Sequence, residues 1–288
     1  MKWLYQCFGI SKQAYYKRLN AYREKQAQAL VVLSLVKPLR ERMTALGARK
    51  LHGELQKPFA EHGIKMGRDA FIAFLRARGM LVKRTKRYHI TTNSKHYYYT
   101  SPNRLKGLAL ERSEQVWVSD ITYLRLDGQH AYLALVTDAY SKKIMGWSVE
   151  PHMRVDLVKG ALGMALRNAE FGREQIIHHS DRGIQYCCPE FTDYAQKQGM
   201  LLSTTQQYDP YENAVAERIN GILKHEFGLG KTLPSLTFAR NMVREAVEIY
   251  NNERPHWSLD LEKPTVAHTQ QQHVHKTYGR KPPSQQKP

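Results

Sequence analysis

Three acidic residues stand where a strand end or a helix face can present a carboxylate to one shared site: Asp120 in VWVSDITY, Asp181 in IIHHSDRG and Glu217 in NAVAERIN. Clustered carboxylates repel and desolvate one another, so a cleft holding three of them requires a cation. Mg²⁺ or Mn²⁺ accepts such an oxygen set without a cysteine or a majority of histidines. Two such ions about 4 Å apart activate a water or a 3′-hydroxyl and stabilise the departing oxygen during in-line attack on phosphate. If the three acids converge, the chain cuts or joins phosphodiester bonds. Taken singly, each could equally be a salt-bridge partner or a cap.

The neighbours of each acid refine this reading. On the first strand, Val116, Val118, Asp120, Thr122 and Leu124 share one parity, so Asp120 is a costly charge on a face otherwise made for burial. Asp181 ends an apolar strand and is followed by Arg182-Gly183, which places it at the edge where sites form in sheets flanked by helices. His178, His179 and Ser180 are candidates to support it or to be satisfied by packing. Around Glu217, Asn213, Asn220, Gly221 and Lys224 fall at helical offsets that share a face, with Gly221 leaving room for another backbone or a nucleic acid. Asp138 in LVTDAYSKK competes for membership, but the Ala-Tyr-Ser-Lys that follows reads first as a turn it would cap.

These residues need a sheet and helices to carry them. From Gln115 the hydrophobic period becomes two, and VWVSDITYLRL, HAYLALVTDAY and KKIMGWSVE read as an antiparallel meander turning at Asp127-Gly128 and Ser141-Lys142. A helix over about 155–169, the strand QIIHH, a helix over about 189–198, the strand MLLST, and helices over about 212–227 and 236–251 follow. The expected core is a mixed sheet flanked by helices. Residues 265–288 are poor in apolar side chains and predict an unfolded tail, with His268, His273 and His275 in no metal-ligand spacing.

The charge is divided sharply. Residues 1–110 carry 23 Lys/Arg against 5 Asp/Glu, residues 111–288 carry 21 against 21, and the whole chain of 288 residues has a formal charge of +18. A basic front attracts a polyanion through phosphate neutralisation, while a balanced remainder can hold an acidic site without repelling nucleic acid. A merely solubilising surface is the bland alternative. Within this front, FGISKQAYYKRL reads as the turn and second helix of a partial helix-turn-helix over 1–25, and 26–82 as a helical DNA-binding module with a break near Pro38. Residues 83–110 read as a basic aromatic arm whose Lys83, Arg84, Lys86 and Arg87 contact DNA, or as an ordered linker packing its tyrosines on the next domain. Three cysteines offer no disulfide framework, and neither a signal peptide nor a run of about 18 apolar residues is visible, so a cytoplasmic protein without membrane partners is expected.

The stretches WVSDITY, LVTDAYSKKIMGW, HHSDRGIQY, NAVAERINGILKHE and YNNERPHWSL resemble the second-reading-frame (OrfB-type) transposases of bacterial insertion sequences, whose catalytic core is shared with retroviral integrases. The 35 residues between Asp181 and Glu217 match the family's interval, and GARKLHGEL and IKMGRDAFIAFLRARGMLVKR resemble its helical module. The resemblance implies an RNase H-like five-stranded mixed sheet over 111–264, preceded by an all-helical basic DNA-binding region. It makes Asp120, Asp181 and Glu217 a catalytic triad binding two Mg²⁺ or Mn²⁺ ions, and places Lys224 against DNA; Asn213 and Asn220, which share its helix face, are read as further DNA contacts. It further implies recognition of terminal inverted repeats, release of a 3′-hydroxyl and its attack on another strand or target DNA. A homo-oligomer on DNA and a partner or fusion from an upstream frame belong to the same expectation. Glu212 stands where such proteins commonly carry Asp. The rival readings are an RNase H-like nuclease without strand transfer and a DNA-binding protein that has lost its chemistry.

Overall fold

The computed structural model describes residues 7, 9–82, 98, 100–172, 175–205 and 213–272. The chain divides into two compact units, Met1–Arg84 and Thr85–Pro288.

The first unit is helical. Ser11 caps α1 (Lys12–Arg42), its hydroxyl accepting from the Ala14 N–H at 3.1 Å. The helix runs through Pro38, which corrects the predicted break, and is continuous across residues 25 and 26. Pro38 forfeits the bond its N–H would have made to the Ser34 carbonyl, and α1 ends four residues later. Only the second half of α1 is buried, through Ala29, Val32 and Val36. α2 (Ala48–Glu54), α3 (Gln56–Glu61) and α4 (Arg68–Ala77) complete the unit, with Phe59 and Phe71 edge to face at 5.9 Å. Arg40 donates to the carbonyls of Leu46 and Met80, tying the end of α1 to the chain beyond α4. Residues 1–6 and 8, which hold most of the segment ahead of the expected turn, lie outside the described residues, as do Lys83, Arg84, Lys86 and Arg87.

The second unit holds the expected mixed five-stranded sheet. The meander β1 (Val116–Leu126), β2 (Gln129–Asp138) and β3 (Ile144–Glu150) is antiparallel. β4 (Ile177–Ser180) and β5 (Leu201–Thr204) are parallel to β1, giving the order β3-β2-β1-β4-β5. Gly128 takes φ +71° in the β1–β2 turn, a backbone state that side chains rarely adopt. Helices α5 (Val155–Arg167), α6 (Ile184–Cys187), α7 (Pro189–Lys197), α8 (Ala214–Glu226), α9 (Leu236–Asn252) and α10 (Pro264–Gln270) complete the unit. None of the described helices is long and apolar enough to cross a membrane.

Strand parity decides which helix meets which face. Trp117 and Ile121 on β1 join Ala134, Val136 and Met145 beneath α5, where Leu157, Val158, Ala161, Leu162 and Ala165 are buried. Val116 and Val118, of the opposite parity, pack with Ala216 of α8. Asp120 therefore belongs to the face that α8 covers. On the other face a Cβ added at Gly146 would lie 2.2 Å from the Ala161 carbonyl oxygen and 2.5 Å from the Ala165 nitrogen, so α5 can cross β3 only over a glycine.

Two margins of the core bear on the sequence reading. The end of the 83–110 arm packs on the edge strand: Thr204 Oγ1 donates to the Ser101 carbonyl at 2.7 Å, and the Arg104 N–H donates to Ser203 Oγ at 2.9 Å. The predicted tail does not begin at residue 265, because α10 docks and His268 is wholly buried. Its Nε2 lies 3.2 Å from Glu114 Oε1 and its Nδ1 2.9 Å from Ser141 Oγ and 3.8 Å from Asp138 Oδ1. A tail poor in apolar residues is thus fastened at its start by charge. Burial pulls the imidazole pKa down, but Asp138 and Glu114 outweigh it and leave His268 raised above its ordinary value.

Gly146→Ala should cost about 1–3 kcal/mol through the forced retreat of α5, whereas Gly221→Ala, with open space at its added Cβ, should be neutral or stabilising; thermal melts compare them, and equal effects would refute the close crossing. A raised histidine pKa gives stability that is complete below the unfolded value and lost as pH rises through the folded one. The melting-temperature gap between the parent and His268→Gln should accordingly be wider at pH 6 than at pH 9. A gap independent of pH would exclude the charged clamp.

Candidate active site

Sheet register brings the two aspartates together. β1 and β4 are parallel neighbours paired Trp117 with His178 and Ser119 with Ser180. The next position on each is Asp120 and Asp181, on chains about 4.8 Å apart. Beneath them Ser119 Oγ is 2.8 Å from His178 Nε2, and burial, with the neighbouring His179, holds His178 down to about 3, so it serves as a neutral hydrogen-bonding partner. Asp181 leaves the strand in a tight turn in which its Oδ1 accepts from the Gly183 N–H at 3.0 Å.

Glu217 comes from the first turn of α8, where a negative charge suits the helix dipole. Two asparagines seat that turn. Asn213 donates to the Ser119 carbonyl at 3.2 Å, and Asn220 donates through Nδ2 to Asp120 Oδ2 at 2.7 Å. Both amides, read from the sequence as DNA contacts, are buried in this structure and their N–H groups serve β1. Glu212 lies outside the described residues.

The three acids feel one another. Asp120 is pushed up to about 7, first by burial and then by the charge of Asp181, with a further push from Glu217 and relief from the Asn220 hydrogen bond. Glu217 is raised by desolvation and by Asp181. Tyr186 and Cys187 are raised too, mainly by burial, with Asp181 contributing to both. Such a concentration of negative potential fits a cation held by oxygen atoms. The buried Asn220 Oδ1, Asn213 Oδ1 and Tyr186 hydroxyl, which have no hydrogen-bond partner, add unspent polar capacity in the same region. Among the described residues, however, no group of three or more His, Cys, Asp or Glu side chains is already arranged to hold a metal ion. The acids share a field without forming a closed cage.

Other sequence candidates fall in distinct places. Lys224 Nζ sits 4.4 Å from the centre of the Tyr123 ring, and burial lowers its pKa against the opposing pull of Asp120. Asp138 is buried as the turn cap its sequence suggested: Oδ1 accepts from the Ser141 N–H and hydroxyl at 2.6 and 2.7 Å, and Oδ2 from the Glu114 N–H at 2.7 Å. The direct grip of Asn220 on Asp120 was missed by sequence reasoning, although its offset of three from Glu217 contained the signal.

Comparison with known proteins shows the family. The integrase core domain family matches residues 111–210, and a second integrase core domain family matches 198–264. The chain is 33% identical over 259 residues to an uncharacterized 31 kDa protein of insertion element IS600 from Shigella sonnei, covering 88% of this chain and 93% of that one. It is 32% identical over 212 residues to the InsF transposase for insertion sequence IS3A of Escherichia coli K12, covering 73% of this chain and 72% of that one. The chain belongs to the insertion-sequence transposases with an integrase core. Among solved structures, the HTLV-2 integrase catalytic core in complex with magnesium aligns with a TM-score of 0.43 at 17% identity, over 58% of the transposase and 99% of that core.

In the metal-free transposase, carboxyl-carbon NMR should find Asp120 titrating near pH 7. Glu217→Gln should lower that midpoint by removing a like charge, and Asn220→Ala should raise it by removing a donor to the ionised form. An Asp120 midpoint in the ordinary aspartate range, unmoved by either change, would show that the acids do not interact.

Proposed function

We propose that this transposase binds the terminal inverted repeats of its element and performs 3′-end cleavage and strand transfer at Asp120, Asp181 and Glu217. The observation that carries the proposal is the geometry that sets Asp120 beside Asp181 through the β1–β4 register and ties Asp120 to the helix bearing Glu217 through Asn220. These residues would hold divalent ions, Mg²⁺ or Mn²⁺, two per site. Such ions supply Lewis-acid neutralisation of the reacting phosphate and activate the attacking oxygen.

The chain's own residues account for the positioning. β1 and β4 set the spacing of the aspartates, Asn220 fixes one oxygen of Asp120, and Asn213 seats the first turn of α8 on β1. Lys224 offers a positive charge to a phosphate two turns beyond Glu217. The basic front unit and the arm containing Lys83, Arg84, Lys86 and Arg87 supply charge for holding DNA.

The chemistry needs no covalent protein intermediate. In cleavage, water attacks a phosphodiester phosphorus and the departing oxygen leaves as a 3′-hydroxyl. In transfer, that hydroxyl attacks a phosphodiester of another strand, forming one P–O bond while one breaks and freeing a new 3′-hydroxyl. The number of phosphodiester bonds is conserved in the second step. Coordinated action at two ends calls for a homo-oligomer on DNA, with an upstream-frame protein or fusion as a further partner.

The test incubates labelled terminal-repeat DNA and Mg²⁺ or Mn²⁺ with the parent and with Glu217→Gln. The parent should give cut and joined products, and the variant should bind DNA normally with at least about a hundredfold less product. Joining by Glu217→Gln at the parent's rate would remove Glu217 from the chemistry. Cut products that are never joined would make the protein a nuclease, and binding without reaction would point to dependence on the upstream-frame partner or to a purely DNA-binding role.

A further inference from the structure

We propose that Arg254 is a positioning residue that sets the rotation and axial seat of α8, and through them the place of Glu217. The inference rests on the assignment of Glu217 to the reaction. It concerns the YNNERPHW segment, which follows the last long helix and which the chemistry above leaves unused.

Arg254 is wholly buried just beyond α9. Its Nε donates to Glu226 Oε2 and its Nη2 to Glu226 Oε1, both at 2.8 Å, a two-pronged fork that permits one relative orientation. Its Nη1 donates to His256 Nε2 at 2.9 Å and to the Pro255 carbonyl at 3.3 Å. His256 therefore presents an unprotonated nitrogen to the guanidinium. The socket is itself anchored: the His256 ring meets Tyr250 edge to face at 5.1 Å, and the Tyr250 hydroxyl donates to the Lys142 carbonyl at 3.0 Å.

Glu226 is the last residue of α8, where a negative charge opposes the helix dipole. It does not serve the helix locally. A buried arginine–carboxylate pair is also, as a rule, no more stabilising than apolar side chains of the same volume. Orientation is what such a fork provides. At about 100° per residue the nine steps from Glu217 to Glu226 turn the helix through two and a half revolutions, so the two glutamates point to opposite sides about 13 Å apart. With Asn220 holding the helix to Asp120 on one side, the fork holds it from the other. A rotation of about 20° would carry the Glu217 carboxylate roughly 2 Å, beyond the tolerance of a catalytic constellation.

The test replaces the pair together, Arg254→Met with Glu226→Leu, so that no lone buried charge is left, and sets it beside the parent and Glu217→Gln. The expected result is a cooperative melt like the parent's. Amide exchange over residues 214–220 in the metal-free protein should be at least about tenfold faster. Joining should be lost by at least about tenfold with terminal-repeat DNA affinity unchanged, the pattern of a misplaced group. A double variant that no longer melts cooperatively would make the pair a stabilising one and overturn the proposal, as would unchanged exchange with parental joining. The exchange measurement needs no activity. If Glu217→Gln joins normally while the double variant still exchanges faster, the catalytic assignment has failed and the seat of α8 has not.

Discussion

The constraint on which the rest of the structure depends is the parallel pairing of β1 with β4. Register there is set by Trp117, Val118 and Ser119 lying opposite His178, His179 and Ser180. The next residue on both chains is an aspartate, so correct pairing brings like charges together as its direct result. A slip by one residue would separate the charges, but it would also turn Val116 and Val118 out of the cluster with Ala216 and send Trp117 away from α5. Apolar burial on two faces thus enforces a juxtaposition that electrostatics alone would reject. That imposed repulsion leaves the site open to a cation.

The helices distribute the consequences. α5 lies so close to β3 that only Gly146 fits beneath it, which leaves the sheet little freedom on that side. α8 covers the opposite face and is held by polar groups as well as by burial, since Asn213 and Asn220 bind β1 near its start and Glu226 meets Arg254 at its end. Buried polar contacts have narrow geometric tolerance, so they suit an element whose side chain must be placed to within a fraction of its own length.

Much of this was legible in the sequence. Period-two patterning located the meander, the change to helical spacing located α5 and α8, and the acids stood out as charges in segments made for burial. Parity alone separated Asp120 from Trp117 and so assigned them to opposite faces. What was not legible depended on contacts distant along the chain. Asn213 and Asn220 read as DNA contacts because helical offset shows that residues share a face but not what covers that face. The 265–288 segment read as unfolded because its composition lacks apolar residues, whereas its first turn is held by His268 against Glu114 and Asp138, partners more than a hundred residues away. Pro38 read as a break because proline removes one helical hydrogen bond, a local loss that α1 tolerates.

The contact between Ser113 and His268 places the beginning and the close of the folded core within one hydrogen bond, 2.8 Å long, between residues 155 apart in sequence. The core is in effect a loop fastened at its neck. Residues 101–110 run from that neck along the edge of β5, where Ser101 and Arg104 bond to Thr204 and Ser203, so a pull between the two ends would load the Ser113–His268 contact together with that edge.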